Sequence, residues 1–331
     1  MRAWLLDDPA PVGTRPLRLA DVPVPEPGPG EVRVRVRANA LCRTDLHVVE
    51  GDLPPHRRPV TPGHQVAGIV DALGADATRF RHGDRVGVPW LNHTCGGCRF
   101  CLSGRENLCE RARFTGWDEN GGYAELLVAP EAFLYPLPDA FADEHAAPLL
   151  CAGIIGYRAL TLTGLTPGAR LGFFGFGSSA HVTIQIARAR GVEVAVFARS
   201  DKDRRLAADL GAVWTGGTEE RPSYPLDAAI IFAPAGPLVP AALEAVDRGG
   251  SVVCASIHMS PIPAFDYALL YGERILRSVA NNTRADGDAF LREAAAIPVQ
   301  TRTTTFGLDE AQDALIALKR GGFEGSAVVV P

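Results

Sequence analysis

The stretch CGGCRFCLSGRENLC, Cys95 to Cys109, puts four of the chain's seven cysteines within fifteen residues. No other feature constrains the fold as tightly, because four thiolates this close in a glycine-rich loop can wrap one ion tetrahedrally, with zinc–sulfur bonds near about 2.3 Å. Cys95, Cys98, Cys101 and Cys109 would fill every position of such an ion, so the zinc would be structural. Closing a site of this kind contributes on the order of 10 kcal/mol to local folding. An iron–sulfur cluster also uses Cys-x2-Cys-x2-Cys, but the bacterial pattern brings its next cysteine sooner and follows it with proline; here Glu110 follows Cys109. A zinc finger that reads nucleic acid needs basic, helix-borne contacts. Unliganded buried cysteines are the bland alternative. The spacing favours structural zinc over all three.

The net charge of -5 argues against nucleic acid or an anionic membrane as the main partner. Only two lysines occur, Lys202 and Lys319. The opening MRAWLLDDPAP turns acidic within eight residues and has no apolar run of signal-peptide length. The longest apolar stretch, AAIIFAPAGPLVPAAL, is shorter than a membrane span and carries three prolines. These features predict a cytoplasmic protein that does not enter membranes. In that reducing compartment clustered cysteines are more often metal ligands or redox centres than disulfides.

Residues 1–150 read as a β-rich domain. EVRVRVRANA, Glu31 to Ala40, alternates apolar and polar side chains, which predicts a half-buried strand. QVAGIV and RVGVPW are further short strands between glycine, proline and aspartate turns. From residue 151 to 276 strands and helices alternate. LGFF, VEVAVFA, DAAIIF and SVVCASI are strands; SAHVTIQIARARG, DKDRRLAADLGA and PLVPAALEAVDRGG are helices. That alternation predicts a parallel sheet with right-handed crossovers. Residues 277–331 bring helices near 286–296 and 309–320 and a last strand, SAVVV.

GFGSSA follows the strand LGFF directly and opens a helix, giving G-x-G-x-x-A, a variant of the dinucleotide fingerprint. Gly175 permits the tight turn, Gly177 lets a pyrophosphate approach the backbone, and Ser178 begins the helix whose N–H groups meet the anion. The next strand ends in FARSD, where NAD sites usually carry an acidic residue for the ribose 2′-hydroxyl. Here that place holds Arg199 and then Ser200, with Lys202 and Arg204 close behind. A guanidinium suits a 2′-phosphate, so NADP(H) is favoured over NAD(H). The competing reading makes Ser200 an N-cap and Arg199 a solvated surface residue.

Three more short stretches carry chemistry: CRTDLH from Cys42, PGHQVAG from Pro62, and LLCAGIIGY from Leu149. Each is weak alone. A histidine after glycine is commonly a hydrogen-bonded turn residue, and a lone cysteine a small core side chain. Taken in order with GDRVGVPWLNHTCGGCRFCLSGRENLC, GGYAE and the glycine turn, they resemble the zinc-dependent alcohol dehydrogenases of the medium-chain dehydrogenase/reductase superfamily over essentially the whole chain. The resemblance implies an α/β protein. A GroES-like β-rich catalytic domain, residues 1–150 completed by 277–331, would carry both zinc sites. Residues 151–276 would form a Rossmann domain with a doubly wound parallel sheet.

The resemblance also assigns roles. Cys42, His64 and Cys151 would bind a catalytic zinc whose fourth position is open, which makes two Zn2+ per chain. Asp45 would hold the ligand histidine in its binding tautomer, although a helix cap is the plain alternative. Arg43 would contact the pyrophosphate. Thr44 would hydrogen-bond the substrate oxygen, and the proton would pass through the cofactor ribose to His47 and out to solvent; a helix cap and a surface histidine are the plain alternatives. Trp90, Leu53, Trp117 and Ile155 would line the pocket, unless they are simply core. Short- to medium-chain alcohols or aldehydes, aromatic ones included, are the expected substrates, and a homodimer or homotetramer built near ILRSVAN the expected assembly. The sequence departs from the family where Gly-His-Glu becomes Gly-His-Gln at Gln65, and where the usual Gly-Arg near the end is Gly325-Ser326. Two rival readings remain: a zinc-free quinone or enone reductase of the same superfamily, and a zinc-stapled, non-catalytic or redox-sensing protein.

Overall fold

The computed structural model describes residues 1–331 and divides into two units. The first comprises Met1–Cys151, Thr283–Ala295 and Gln300–Pro331; the second comprises Ala152–Asn282 and Ala296–Val299. The expected boundary at 276/277 therefore moves to Asn282/Thr283. The physical reason is that Ile275–Ser278 pairs in parallel with Val246–Cys254 and so extends the sheet of the second unit.

In the first unit the strand Glu31–Ala40 is the hub. It pairs antiparallel with Val66–Leu73, Leu126–Pro130 and, at its far end, Ser326–Val330. Its side chains alternate buried and exposed through Arg37, as a one-sided strand requires, and then Ala38, Asn39 and Ala40 are all buried. Two register shifts against Val66–Leu73 accompany that change. Val32, Val34, Val36, Val66, Val70, Val86, Val88, Leu127 and Leu134 form the core of this sheet. A second core gathers Trp4, Leu6, Leu41, Leu46, Val49, Trp90, Tyr123, Leu308, Leu315 and Val329. That second core lies next to the residues singled out above, because Leu41, Leu46 and Trp90 belong to it.

The second unit is a six-stranded parallel sheet. Its order is Trp214–Gly216, Glu193–Phe197, Arg170–Phe174, Leu226–Ile231, Val246–Cys254, Ile275–Ser278. Numbered along the chain this is 3-2-1-4-5-6, the doubly wound Rossmann order. Sequence direction reverses between the first and fourth strands, so the turn after Phe174 opens at the switch point where this fold binds its ligands. Phe174 and Phe197 stack at 4.2 Å on neighbouring strands and anchor the core beneath that turn. No single helix in the chain is long and apolar enough to cross a membrane.

Candidate active site

Cys42 leaves the hub strand and starts the helix Arg43–Glu50. Its neighbour Leu41 donates its N–H to Ala327 O at 2.9 Å, so the final strand fixes the point of departure. The helix forms because its first turn is capped from within. The Cys42 N–H donates to Asp45 Oδ2 (2.8 Å), and the Thr44 N–H donates to Cys42 Sγ (3.4 Å). Asp45's other oxygen, Oδ1, lies 3.1 Å from His64 Nδ1. One oxygen of Asp45 thus caps the helix, while the other faces the His64 ring. With Nδ1 held by the carboxylate, His64 turns Nε2 toward Cys42 Sγ, 3.3 Å away.

His64 follows Gly63, whose φ of +98° belongs to the left-handed region. A Cβ there would sit 2.8 Å from the Tyr123 ring and 2.9 Å from its backbone nitrogen. Only glycine lets the GGYAE loop press against the turn that carries the histidine. Cys151 arrives from the short helical turn Ala147–Leu150. Its sulfur, that of Cys42 and a ring nitrogen of His64 all lie within 4.8 Å of one another.

The electrostatics of this trio favour a cation. Hydrogen bonding from Cys151 is the strongest influence holding the Cys42 thiol well below its usual value; burial opposes it, and the charge of His64 adds to the lowering. The Cys151 thiol is pushed well above its usual value by donating to Cys42, by burial and by the Cys42 charge. Burial works against a charged His64, yet Asp45 and Cys42 together raise it to about 10. The trio thus gathers buried sulfur and nitrogen donors, with the Asp45 carboxyl behind them, of the kind a divalent cation would bind. The spacing also fits. A sulfur and a ring nitrogen on one tetrahedral zinc stand about 3.6 Å apart, against 3.3 Å between Cys42 and His64. Gln65, fully buried, donates from Nε2 to Ala40 O (3.2 Å).

Beside His64 stands a slab of aromatic rings. Trp90 meets the His64 ring edge-on at 5.0 Å and stacks with Phe114 at 4.9 Å and Trp117 at 6.0 Å. Trp117 is held by its Nε1–H, which donates to Pro54 O (2.9 Å), and by His56, stacked on it at 4.2 Å and bonded to Asp118 (2.6 Å). Leu53 packs against the same core. Ile155 lies in the second unit, on the helix Ala152–Thr163. Thr44 and His47 are buried on the ligand helix, while Arg43 is exposed on its first turn. Phe114, His56 and Asp52 were not singled out from sequence. Phe114 belongs to a two-residue strand with no periodicity to read.

In the cysteine lobe, Cys98 and Cys101 sulfurs are 3.5 Å apart and those of Cys95 and Cys101 3.9 Å. All four ligand atoms lie within 4.8 Å of one another. Thiolates sharing a tetrahedral zinc stand about 3.8 Å apart, so this donor set also fits. The Gly97 N–H leads the backbone donors that bring Cys95 down to about 6, whereas burial lifts Cys101 to about 11. Glu106 fastens the lobe to the start of the helix Arg284–Ala296. It accepts from the Arg284 N–H at 2.8 Å and from its guanidinium at 2.6 Å.

At the nucleotide turn, Gly175 has φ +95° and a Cβ there would lie 2.9 Å from that of Ala233. Gly177 precedes the helix Ser178–Ala189 with no side-chain cap, and a Cβ on it would meet nothing within 4 Å. A helix start left open over a glycine suits a pyrophosphate. Past the next strand, Ser200 does cap the helix Asp201–Asp209, accepting from the Asp203 N–H at 3.1 Å. Arg204 folds back onto Ala198 O (2.7 Å), Arg199 O (3.3 Å) and Asp201. Arg199 is the exposed cation at the strand end.

Residues 28–139 match the family model of the alcohol dehydrogenase GroES-like domain. The chain is 50% identical over 336 residues to the probable alcohol dehydrogenase AdhA of Mycobacterium tuberculosis, covering all of this chain and 97% of that protein. It is 34% identical to an alcohol dehydrogenase of Geobacillus stearothermophilus, across 95% of this chain and 96% of the relative. Among solved structures, the cobalt- and zinc-bound thermostable alcohol dehydrogenase of Pyrobaculum aerophilum superimposes with a TM-score of 0.91 at 26% identity, covering 100% of this chain and 99% of that one. With this fold, these donor sets and relatives matched end to end, the chain belongs to the zinc-dependent alcohol dehydrogenase family of medium-chain dehydrogenases/reductases.

Proposed function

We propose that the protein holds two zinc ions, one on Cys42, His64 and Cys151 and one on the four-cysteine lobe, and oxidises alcohols or reduces aldehydes with a preference for NADP(H). The observation that carries this reading is the Cys42–His64–Cys151 trio, with Asp45 fixing the histidine from behind. Zinc in that place supplies a Lewis acid toward an alcohol or carbonyl oxygen, and the nicotinamide supplies the hydride acceptor or donor. The chain's own residues do the rest. Thr44 hydrogen-bonds the substrate oxygen, His47 carries the proton outward, and Trp90, Trp117 and Leu53 exclude water and hold the apolar end of a short- to medium-chain, including aromatic, alcohol. Ile155 and Arg43 are assigned to the nicotinamide and the pyrophosphate. The NADP(H) preference rests on Arg199, since Arg204 and Ser200 are engaged in local bonds.

The assembly is read as a homodimer or homotetramer joined at the edge strand Ile275–Ser278. Ile275, Tyr267 and Tyr271 are 53%, 70% and 69% exposed near that edge, an apolar surface that a second copy would cover. The seven free cysteines agree with a reducing, cytoplasmic setting. Zinc per chain and the loss of NADPH or NADH absorbance with a panel of aldehydes test the whole reading. Two zincs with faster turnover of NADPH are expected. One zinc without turnover points to a stapled non-catalytic protein, and turnover of quinones without zinc points to the reductase reading.

A further inference from the structure

The helix that carries Cys42 and His47 ends at Glu50, and the chain leaves it through Gly51 in the left-handed conformation (φ 84°). That turn folds the following residues back over the last helical turn, where the Leu53 N–H donates to His47 O (3.1 Å). Asp52 is carried along, and its Oδ2 comes to 2.8 Å from His47 Nδ1. The imidazole is nearly enclosed, with 11% of its side chain exposed, while the carboxylate is 43% exposed. A buried ring is thus joined at one nitrogen to a group that faces water.

We propose that Asp52 is a positioning residue for proton movement through His47: it accepts the Nδ1–H bond, which leaves Nε2 as the nitrogen that takes up a proton during alcohol oxidation. This rests on the reading of His47 as the proton carrier. The physical basis is that the hydrogen bond made by one ring nitrogen selects the tautomer at the other, and a carboxylate also stabilises the imidazolium that forms. The proton released by the alcohol moves onto Nε2 as an N–H bond, the imidazolium shares its positive charge with Asp52, and one proton then passes to water, which returns the ring to its Nδ1–H form.

The test uses the zinc-loaded enzyme and four variants: Asp52→Ala, Asp52→Glu, His47→Gln and the double variant Asp52→Ala/His47→Gln. With Asp52 removed, kcat for alcohol oxidation is expected to fall on the order of tenfold, the scale of losing a group that orients another, with the cofactor KM within about twofold. Asp52→Glu should recover most of the loss. In the His47→Gln background, removing Asp52 should change kcat by less than about twofold, because residues acting through one another are not additive. A readout independent of turnover is the 15N spectrum of the His47 ring, which should show the proton on Nδ1 in the parent protein and move toward Nε2 in Asp52→Ala. Full activity in Asp52→Ala beside an impaired His47→Gln overturns the role of Asp52 and leaves His47 standing. An equal loss in both backgrounds, or an unchanged ring spectrum, does the same. A fully active His47→Gln overturns both, and absence of any alcohol turnover by the parent protein rejects the proposed activity itself.

Discussion

Asp45 shows how much a single side chain carries here. Its two oxygens serve different masters, the Cys42 N–H at 2.8 Å and the His64 ring at 3.1 Å. Asp45→Asn should therefore give two separable effects. Metal affinity at the Cys42–His64–Cys151 site should fall about 10- to 100-fold, read by competition with a chelator. Stability should fall by about 1 kcal/mol from the weakened cap, read from urea unfolding. Gly63→Ala is expected to be worse for folding than for chemistry. A left-handed backbone and two contacts under 3.0 Å make it unfavourable by at least about 1–3 kcal/mol, visible as a lowered midpoint in thermal unfolding. At this scale the clustering of Cys42, His64 and Cys151, and of the four lobe cysteines, was the most legible feature, because few residue types bind zinc and their spacings are short or recur within a known pattern. Asp52 and Phe114 were not legible. The first depends on the direction taken after Gly51, and the second on a contact between rings drawn from separate strands and loops.

Among the elements, four of the six strands of the parallel sheet were readable as short apolar runs, and the helices by their caps and closing glycines, whereas Trp214–Gly216 carries no such run. The stretch PLVPAALEAVDRGG was not. It reads as one helix, but the helix stops at Ala245 and Val246 opens the next strand, with φ -91° and ψ 136°. Pairing of Val246 with Leu226 of the adjacent strand decides the matter, and a pairing 20 residues away in sequence leaves no local mark. Ser200 was legible as a choice between a cap and a phosphate ligand, and it caps the helix by accepting from the Asp203 N–H. A prediction at this scale concerns Glu106, which joins the cysteine lobe to the helix Arg284–Ala296. Burial pushes its carboxyl up, but hydrogen bonds and charge from Arg284 outweigh this and hold it below its usual 4.5. A lowered acid contributes stability at pH values above 4.5, and loses it as pH falls through its folded value. Glu106→Gln should thus destabilise the protein by about 1–3 kcal/mol at pH 7. The difference from the parent protein should shrink progressively below pH 4.5, measured by urea unfolding across a pH series.

For the molecule as a whole, the edge strand Ile275–Ser278 ends the parallel sheet with one side unpaired in the single chain. The exposed Ile275 on that edge, with Tyr267 and Tyr271 close in sequence, is the apolar surface that a second copy would cover. Ile275→Lys should convert the proposed oligomer to monomers in sedimentation velocity, while the zinc content of each chain stays the same. A final consequence follows from the bond between the Leu41 N–H and Ala327 O. The residue immediately before Cys42 is pinned by a strand nearly 290 positions later. During translation the N-terminal half therefore emerges with Cys42, His64 and Cys151 already synthesised but their backbone frame unfinished. A chain cut before Ser326 should therefore lack the frame that holds the Cys42 corner, whatever side chains that corner carries.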